Sequence, residues 1–158
     1  LIPPWLGREH FNELVLPYDR QINDAIHSVG GRHFAHAHGN TGDYLETFAD
    51  IGIDAVEPLE PPPYGNNTLK EAKKVAGQRM LLAGNIPSQA FHLDSFHIKM
   101  VRELVERAIE EGAPGGGFTM RTTGSAHVGI GKTREQKIKA IACGRAMIDA
   151  WRELASYR

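Results

Sequence analysis

The sequence predicts an α/β protein made of parallel βα units, amounting to about half of a (β/α)8 barrel with a helix in front. Three observations predict it. Four short β-like runs alternate with helical patterns, the signature of parallel strands joined by crossover helices. Polar residues capable of chemistry follow the strands each time, as they do at the C-terminal face of such barrels. The 158 residues fall well short of the roughly 250 that a whole barrel takes. A small open α/β sheet is the competing layout for the same four units. Either the chain is a fragment or it pairs with a second chain, since an open half-barrel would leave two parallel edges unpaired, which invites association.

The elements follow in chain order. Over residues 8–29, Phe11, Leu14, Val15, Tyr18, Ile22, Ala25, Ile26 and Val29 recur at three- and four-residue spacing and predict one leading helix. Gly30-Gly31 ends it. The run from His33 to His38 reads as the first strand, closed by the turn signal Gly39-Asn40. Asn40 is placed to cap a helix carrying Tyr44, Leu45 and Phe48. Ile53 to Pro58 predicts the second strand, followed by a proline-rich loop from Leu59 to Tyr64. Thr68 to Glu71 has the spacing of a capping box and opens a helix over 68–77. Met80 to Ala83 predicts the third strand, ending in Gly84-Asn85. Ile98, Val101, Leu104, Val105, Ala108 and Ile109 mark an amphipathic helix over 96–111. Gly115-Gly116-Gly117 stops it ahead of a short fourth strand, Phe118 to Met120. Thr133 to Gln136 is a second capping box, and a long helix through Ile138, Ile141, Ile148, Trp151 and Leu154 closes the chain. No linker or low-complexity stretch divides it, so residues 1–158 read as a single domain.

Composition narrows the function classes. Apolar residues make up 41% and charged residues 23%, and 18 basic against 19 acidic residues give a formal net charge of −1. That balance predicts neither a nucleic-acid footprint nor a membrane-surface patch. No apolar run reaches membrane-spanning length. The single Cys143 has no disulfide partner, which predicts a reducing cytoplasm. The first residue is Leu1 and not methionine, so the expectation is that the native N-terminus lies upstream.

The central chemical feature is His36-Ala37-His38. Residues two apart in a strand project to one face, roughly 6.5–7 Å apart along the chain. Two imidazoles so placed at the end of a strand can chelate a divalent metal such as zinc, or line a polar pocket as hydrogen-bonding groups. Glu57 ends the second strand and is expected to face that pocket, whereas Glu60 reads as a solvated loop charge. Asn85 follows the third strand and has the chemistry to cap the turn after it. Tyr64 reaches either over the pocket mouth or into its own loop. The three glycines at 115–117 lack the following Lys-Ser/Thr of a phosphate loop. His10, His27 and His33 have no companion at ligand spacing and read as structural, and His92 and His97 as surface residues.

A family resemblance attaches to these motifs. Glu9 to Tyr18, His36-Ala37-His38-Gly39-Asn40, Gly52 to Val56, Leu82-Ala83-Gly84-Asn85-Ile86 and Gly115 to Phe118 together resemble the uroporphyrinogen decarboxylase superfamily, in its order and spacing. The similarity covers nearly the whole chain and corresponds to the C-terminal half of that family's (β/α)8 barrel. The N-terminal half is absent, and with it the arginine-rich segment by which decarboxylases hold substrate carboxylates.

The resemblance implies two chemistries. True uroporphyrinogen decarboxylases are cofactor-free lyases of porphyrin biosynthesis with Gly-His-Gly on the last strand, whereas this chain reads Thr123-Gly124-Ser125-Ala126-His127-Val128-Gly129. The other branch holds zinc-dependent methyltransferases serving corrinoid proteins, thiol cofactors or homocysteine, including relatives of cobalamin-independent methionine synthase. These carry His-x-Cys where this chain has His36-x-His38, and some place a zinc-binding Glu at the position of Glu57. Their last ligand, a Cys after the final strand, has His127 as its nearest counterpart here. The implied metal ligands are therefore His36, His38, Glu57 and His127, and the family match makes Asn85 a substrate-side residue along with Tyr64. The expected function is a zinc-dependent methyltransferase or demethylase, with a small-molecule substrate and a corrinoid carried on a partner protein. The alternatives are a metal-free decarboxylase-like lyase, in which the histidines carry protons, and a non-catalytic half-barrel awaiting its other half.

Overall fold

The structure, a computed structural model, describes residues 5–124 and 133–155. Helices α1 (Arg8–Leu14) and α2 (Leu16–Ser28) lead into β1 (Phe34–His36). A 3-10 turn at Thr41–Tyr44 precedes α3 (Leu45–Asp50), β2 (Ala55–Leu59), α4 (Leu69–Ala76) and β3 (Leu81–Ile86). A second 3-10 turn, Ser88–Phe91, precedes α5 (Ile98–Gly112), β4 (Phe118–Thr122) and α6 (Arg134–Leu154).

The four strands pair in parallel in the order β1-β2-β3-β4. Each crossover thus joins immediate neighbours and always advances in the same direction. Right-handed crossovers of that kind lay their helices on one face of the sheet. A doubly wound sheet would need a reversal of strand order. The sheet is therefore the wall of a partial (β/α)8 barrel, as the alternation of elements predicted.

The core lies between the sheet and its helices. Val56, Leu59, Leu82 and Ile86 of the strands meet Leu45, Phe48, Leu69, Val101 and Val105 of the helices, all of them buried. Phe11 of α1 anchors the leading segment, standing edge-on to Tyr44 at 4.8 Å between ring centroids. The Arg8 guanidinium covers the other ring in that pair, 4.0 Å from the Tyr44 centroid.

A network below the sheet fixes where β1 begins. Asp54, just before β2, accepts from the His33 backbone N–H at 2.8 Å and from Arg32 at 2.9 Å, and holds His27 Nε2 at 2.7 Å. Buried Asn23 of α2 donates to the Ile51 carbonyl at 2.7 Å and pairs with His33 Nδ1 at 3.1 Å. His27 and His33 are thus tied into the scaffold that holds α2 against the start of the sheet.

Several elements differ from their sequence patterns. The leading helix is two helices, because Pro17 lacks an N–H and its ring crowds the carbonyl one turn back. Val15 ends α1 and precedes α2, with φ −119°. Asn40 makes no side-chain cap bond, and the segment after it opens as a 3-10 turn. The third strand runs on through Gly84, Asn85 and Ile86, which places Asn85 inside β3. The long last helix keeps its capping box, Gln136 N–H donating to Thr133 Oγ1 at 3.2 Å and Thr133 N–H to Gln136 Oε1 at 3.1 Å. Its buried face, however, is Ala140, Cys143 and Ala150, while Ile138, Ile141, Ile148, Trp151 and Leu154 are exposed. Small residues let α6 lie close to the rest of the fold, while Ile138, Ile141 and Ile148 face away.

Candidate functional site

The site assembles at the C-terminal ends of the strands. Register places His36 of β1 directly opposite Glu57 of β2. In such pairs side chains share a face, and His36 Nδ1 lies 2.9 Å from Glu57 Oε1. The chain then leaves the sheet through Ala37, whose N–H still donates to the Glu57 carbonyl at 2.7 Å. Gly39 turns it at φ 90°, a conformation open to glycine and strained for other residues. This turn presents His38 back toward His36.

Glu60 completes the arrangement. It accepts from the Gly39 N–H at 2.7 Å through Oε2, and its Oε1 stands 3.2 Å from His38 Nδ1. The proline-rich loop folds onto Gly39 to allow this. Any side chain at Gly65 would strike the carbonyls of Gly39 and Glu60, each 2.6 Å from the position of a Cβ. Glu60 is therefore an inward-held carboxylate, and the expectation of a solvated loop charge is corrected.

Each histidine thus has a carboxylate on Nδ1, and the two Nε2 atoms face each other at 3.0 Å. Ionised carboxylates only accept hydrogen bonds, so both Nδ1 atoms carry the proton. In the neutral form of both rings the Nε2 atoms are then bare lone pairs. Two lone pairs at that distance repel unless a cation, a proton or a metal ion, lies between them. Two imidazole nitrogens on one tetrahedral zinc stand roughly 3.3 Å apart. A carboxylate behind each ring also matches the arrangement that orients metal-bound histidines. As a donor pair, His36 and His38 fit a zinc ion. Glu57 stands behind His36 in this geometry.

Arg121 of β4 contacts the second oxygen of Glu57, Oε2. Register sets Arg121 opposite Asn85 of β3, one strand away from Glu57. The cleft so formed has a volume of about 390 Å³ and is lined by His36, His38, Pro58, Arg121, Thr122, Thr123 and Gly124. Its far wall is tied down, the Ser88 N–H donating to Thr123 Oγ1 at 3.2 Å and the Thr123 N–H to the Ile86 carbonyl at 2.8 Å.

The structure brings together His36, His38 and Glu57. His127 lies outside the described residues, and among those described no group of three or more His, Cys, Asp or Glu side chains could hold a metal ion. Asn85 is buried and lines a separate cavity of about 180 Å³ with Pro61, Pro62, Asn67, Thr68, Arg107 and Glu111. Tyr64 sits in the turn that starts at Pro61, its N–H donating to the Pro61 carbonyl at 3.0 Å, and lines neither space.

One site residue, Glu60, was misread from the sequence and another, Arg121, was missed. Glu60 sits three residues beyond Glu57, inside a loop whose return to Gly39 no local pattern announces. Arg121 carried a usable signal. The fourth strand alternates half-buried Phe118, Met120 and Thr122 with exposed Thr119 and Arg121. Extending the strand by two residues would have set Arg121 on the face opposite Phe118.

Residues 3–141 match the family described as uroporphyrinogen decarboxylase (URO-D). No curated protein matches the chain. Among solved structures, a methyltransferase from Methanosarcina mazei matches with a TM-score of 0.67 over 97% of this chain, at 22% sequence identity. The chain spans 40% of that structure's length. At this identity the likeness establishes a shared fold, that of a partial barrel. With 3–141 of its 158 residues matched, the chain belongs to the uroporphyrinogen decarboxylase family.

Proposed function

We propose that this chain carries the metal-binding part of a zinc-dependent methyltransferase site, with His36 and His38 as ligands through Nε2. The observation that carries the reading is the pair of Nε2 atoms 3.0 Å apart, each ring backed by a carboxylate. Glu57 and Glu60 orient the rings and keep Nδ1 protonated, so the lone pairs stay on Nε2. Zinc bound here would lower the pKa of a thiol substrate and hold it as a thiolate at neutral pH. The methyl donor in this reading is a corrinoid on a partner protein, and His127 is the third ligand. The partial barrel, with one side of β1 and of β4 unpaired among the described residues, takes a complementary half-barrel to enclose the reaction.

A second reading has its own support in the same contact. A proton shared between the Nε2 atoms also satisfies both lone pairs, which suits a metal-free, decarboxylase-like pocket where the histidines carry protons. Metal content per chain separates the two, measured on protein purified without added metal or chelator. About one equivalent of zinc is expected, lost in both His36→Ala and His38→Ala. An intact chain without metal would overturn the zinc site and leave the proton-carrying pocket.

A further inference from the structure

We propose that Asn66 is a positioning residue for His38, clamping the loop after β2 onto the loop after β1 so that the second histidine faces the first. The consequence for metal binding rests on the zinc reading, whereas the placement of the ring does not.

The two histidines are held by different means. His36 lies in β1, where register against Glu57 sets its place. His38 lies past the end of that strand, in the loop that leads to Thr41. Glu60 reaches it from the neighbouring loop, with Oε1 at 3.2 Å from His38 Nδ1 and Oε2 accepting from the Gly39 N–H at 2.7 Å. The His38 ring is therefore only as fixed as the loop that carries Glu60.

Two adjacent asparagines fasten that loop. Asn67 closes it on itself, its N–H donating to the Glu60 carbonyl at 3.0 Å, and its Nδ2 donates to Oγ1 of buried Thr41. Asn66 makes the outer pair. Its Oδ1 accepts from the Gly42 N–H at 2.9 Å, and its Nδ2 donates to Asp43 Oδ1 at 2.9 Å. One planar amide thus grips two successive residues of the facing loop, which fixes direction as well as distance. The approach is close: a Cβ at Gly42 would stand 2.8 Å from Asn66 Oδ1. Asn67 is buried, so a change there also disturbs packing. Asn66 is exposed, and its side chain contributes these two bonds and little burial.

The test follows ring contacts by nuclear Overhauser spectroscopy in the metal-free chain and zinc affinity by chelator competition. The His36 and His38 rings stand edge to face with centroids 4.7 Å apart and should give a contact. The Phe11–Tyr44 contact, at 4.8 Å, reports on the packing beside the same loop. In Asn66→Ala the histidine contact is expected to weaken or vanish while the Phe11–Tyr44 contact stays. Zinc affinity falls roughly three- to tenfold, the scale of one or two such hydrogen bonds. Asn66→Asp sets two carboxylates together and does the same. Combining Asn66→Asp with Asp43→Asn exchanges donor and acceptor and restores both readings. A histidine contact missing from the unmodified chain, or surviving in Asn66→Ala, would overturn the proposal. So would loss of both ring contacts together, which marks a folding residue, or unchanged zinc affinity in a chain that binds zinc. Selective loss of the histidine contact, with no zinc bound by any variant, upholds the positioning and rejects the metal.

Discussion

At the scale of residues, the site depends on which atoms are held and by what. Glu57 and Glu60 do for the histidines what the rings cannot do alone, fixing the tautomer and the ring plane. In the proposed zinc site, replacing either by glutamine is expected to weaken zinc binding roughly 10–100-fold, read by competition with a chromophoric chelator. Unchanged affinity in both variants would show that the carboxylates are bystanders. Asp54 has a different role. Burial raises its carboxyl pKa, but hydrogen bonds from His27, the His33 backbone and Arg32 outweigh this and bring it from 3.8 to about 2. A carboxyl lowered on folding stabilises the native state above its unfolded pKa, and that contribution is lost as pH falls through the folded value. Denaturant midpoints should therefore decline between pH 3.8 and about 2, and in Asp54→Asn that part of the decline should disappear. Cys143 is buried and desolvation raises its pKa. Its thiol should react with an aromatic disulfide reagent only after unfolding.

At the scale of elements, local chemistry decided where α4 and α6 begin, each capped by a threonine, and packing decided which face a helix buries. The capping box at Thr133 was legible because two side chains within four residues satisfy each other's backbone donors. Thr133→Ala should cost about 1 kcal/mol in equilibrium unfolding. The apolar stripe of α6 was equally legible, yet Ile138, Ile141 and Ile148 are exposed while Ala140, Cys143 and Ala150 meet the rest of the fold. Periodicity reports a helix with an apolar face but does not say what covers it. The same holds for α2, whose Tyr18 and Ile22 are exposed. Phe11 illustrates the opposite case. Its pattern position and its burial against Tyr44 and Phe48 agree, and Phe11→Ala should destabilise the chain by about 3–5 kcal/mol.

At the scale of the whole molecule, the parallel order β1-β2-β3-β4 produces a wall whose two edges are unpaired among the described residues. Exposed apolar side chains gather beside both, Phe34 at the β1 edge and Trp151 with Leu154 beyond β4. A groove of about 580 Å³ runs between α5, β4 and α6, lined by Ile109, Phe118, Met120 and Trp151 among others. Apolar surface of this kind marks an interaction site or an aggregation liability. The chain alone should bind a hydrophobic dye such as ANS, and a complementary half-barrel that pairs both edges should abolish the signal. Dye binding unchanged by such a half would mean the edges are not where the complement docks. No helix among the described residues is long and apolar enough to cross a membrane.

The sequence by itself determined the alternation of strands and helices, the half-barrel size, the family and the pairing of His36 with His38. The alternation and the histidine pair follow from local periodicity, turn chemistry and spacing, whereas the family followed from motifs that resemble it in order and spacing over nearly the whole chain. Only the tertiary structure decided that Glu57 stands behind His36, that Glu60 turns inward, and that Arg121 reaches the cleft. Those contacts join residues more than twenty positions apart through sheet register and the return of one loop. A single chain read in order carries no signal for register, because register is set by the other strands against which each one packs.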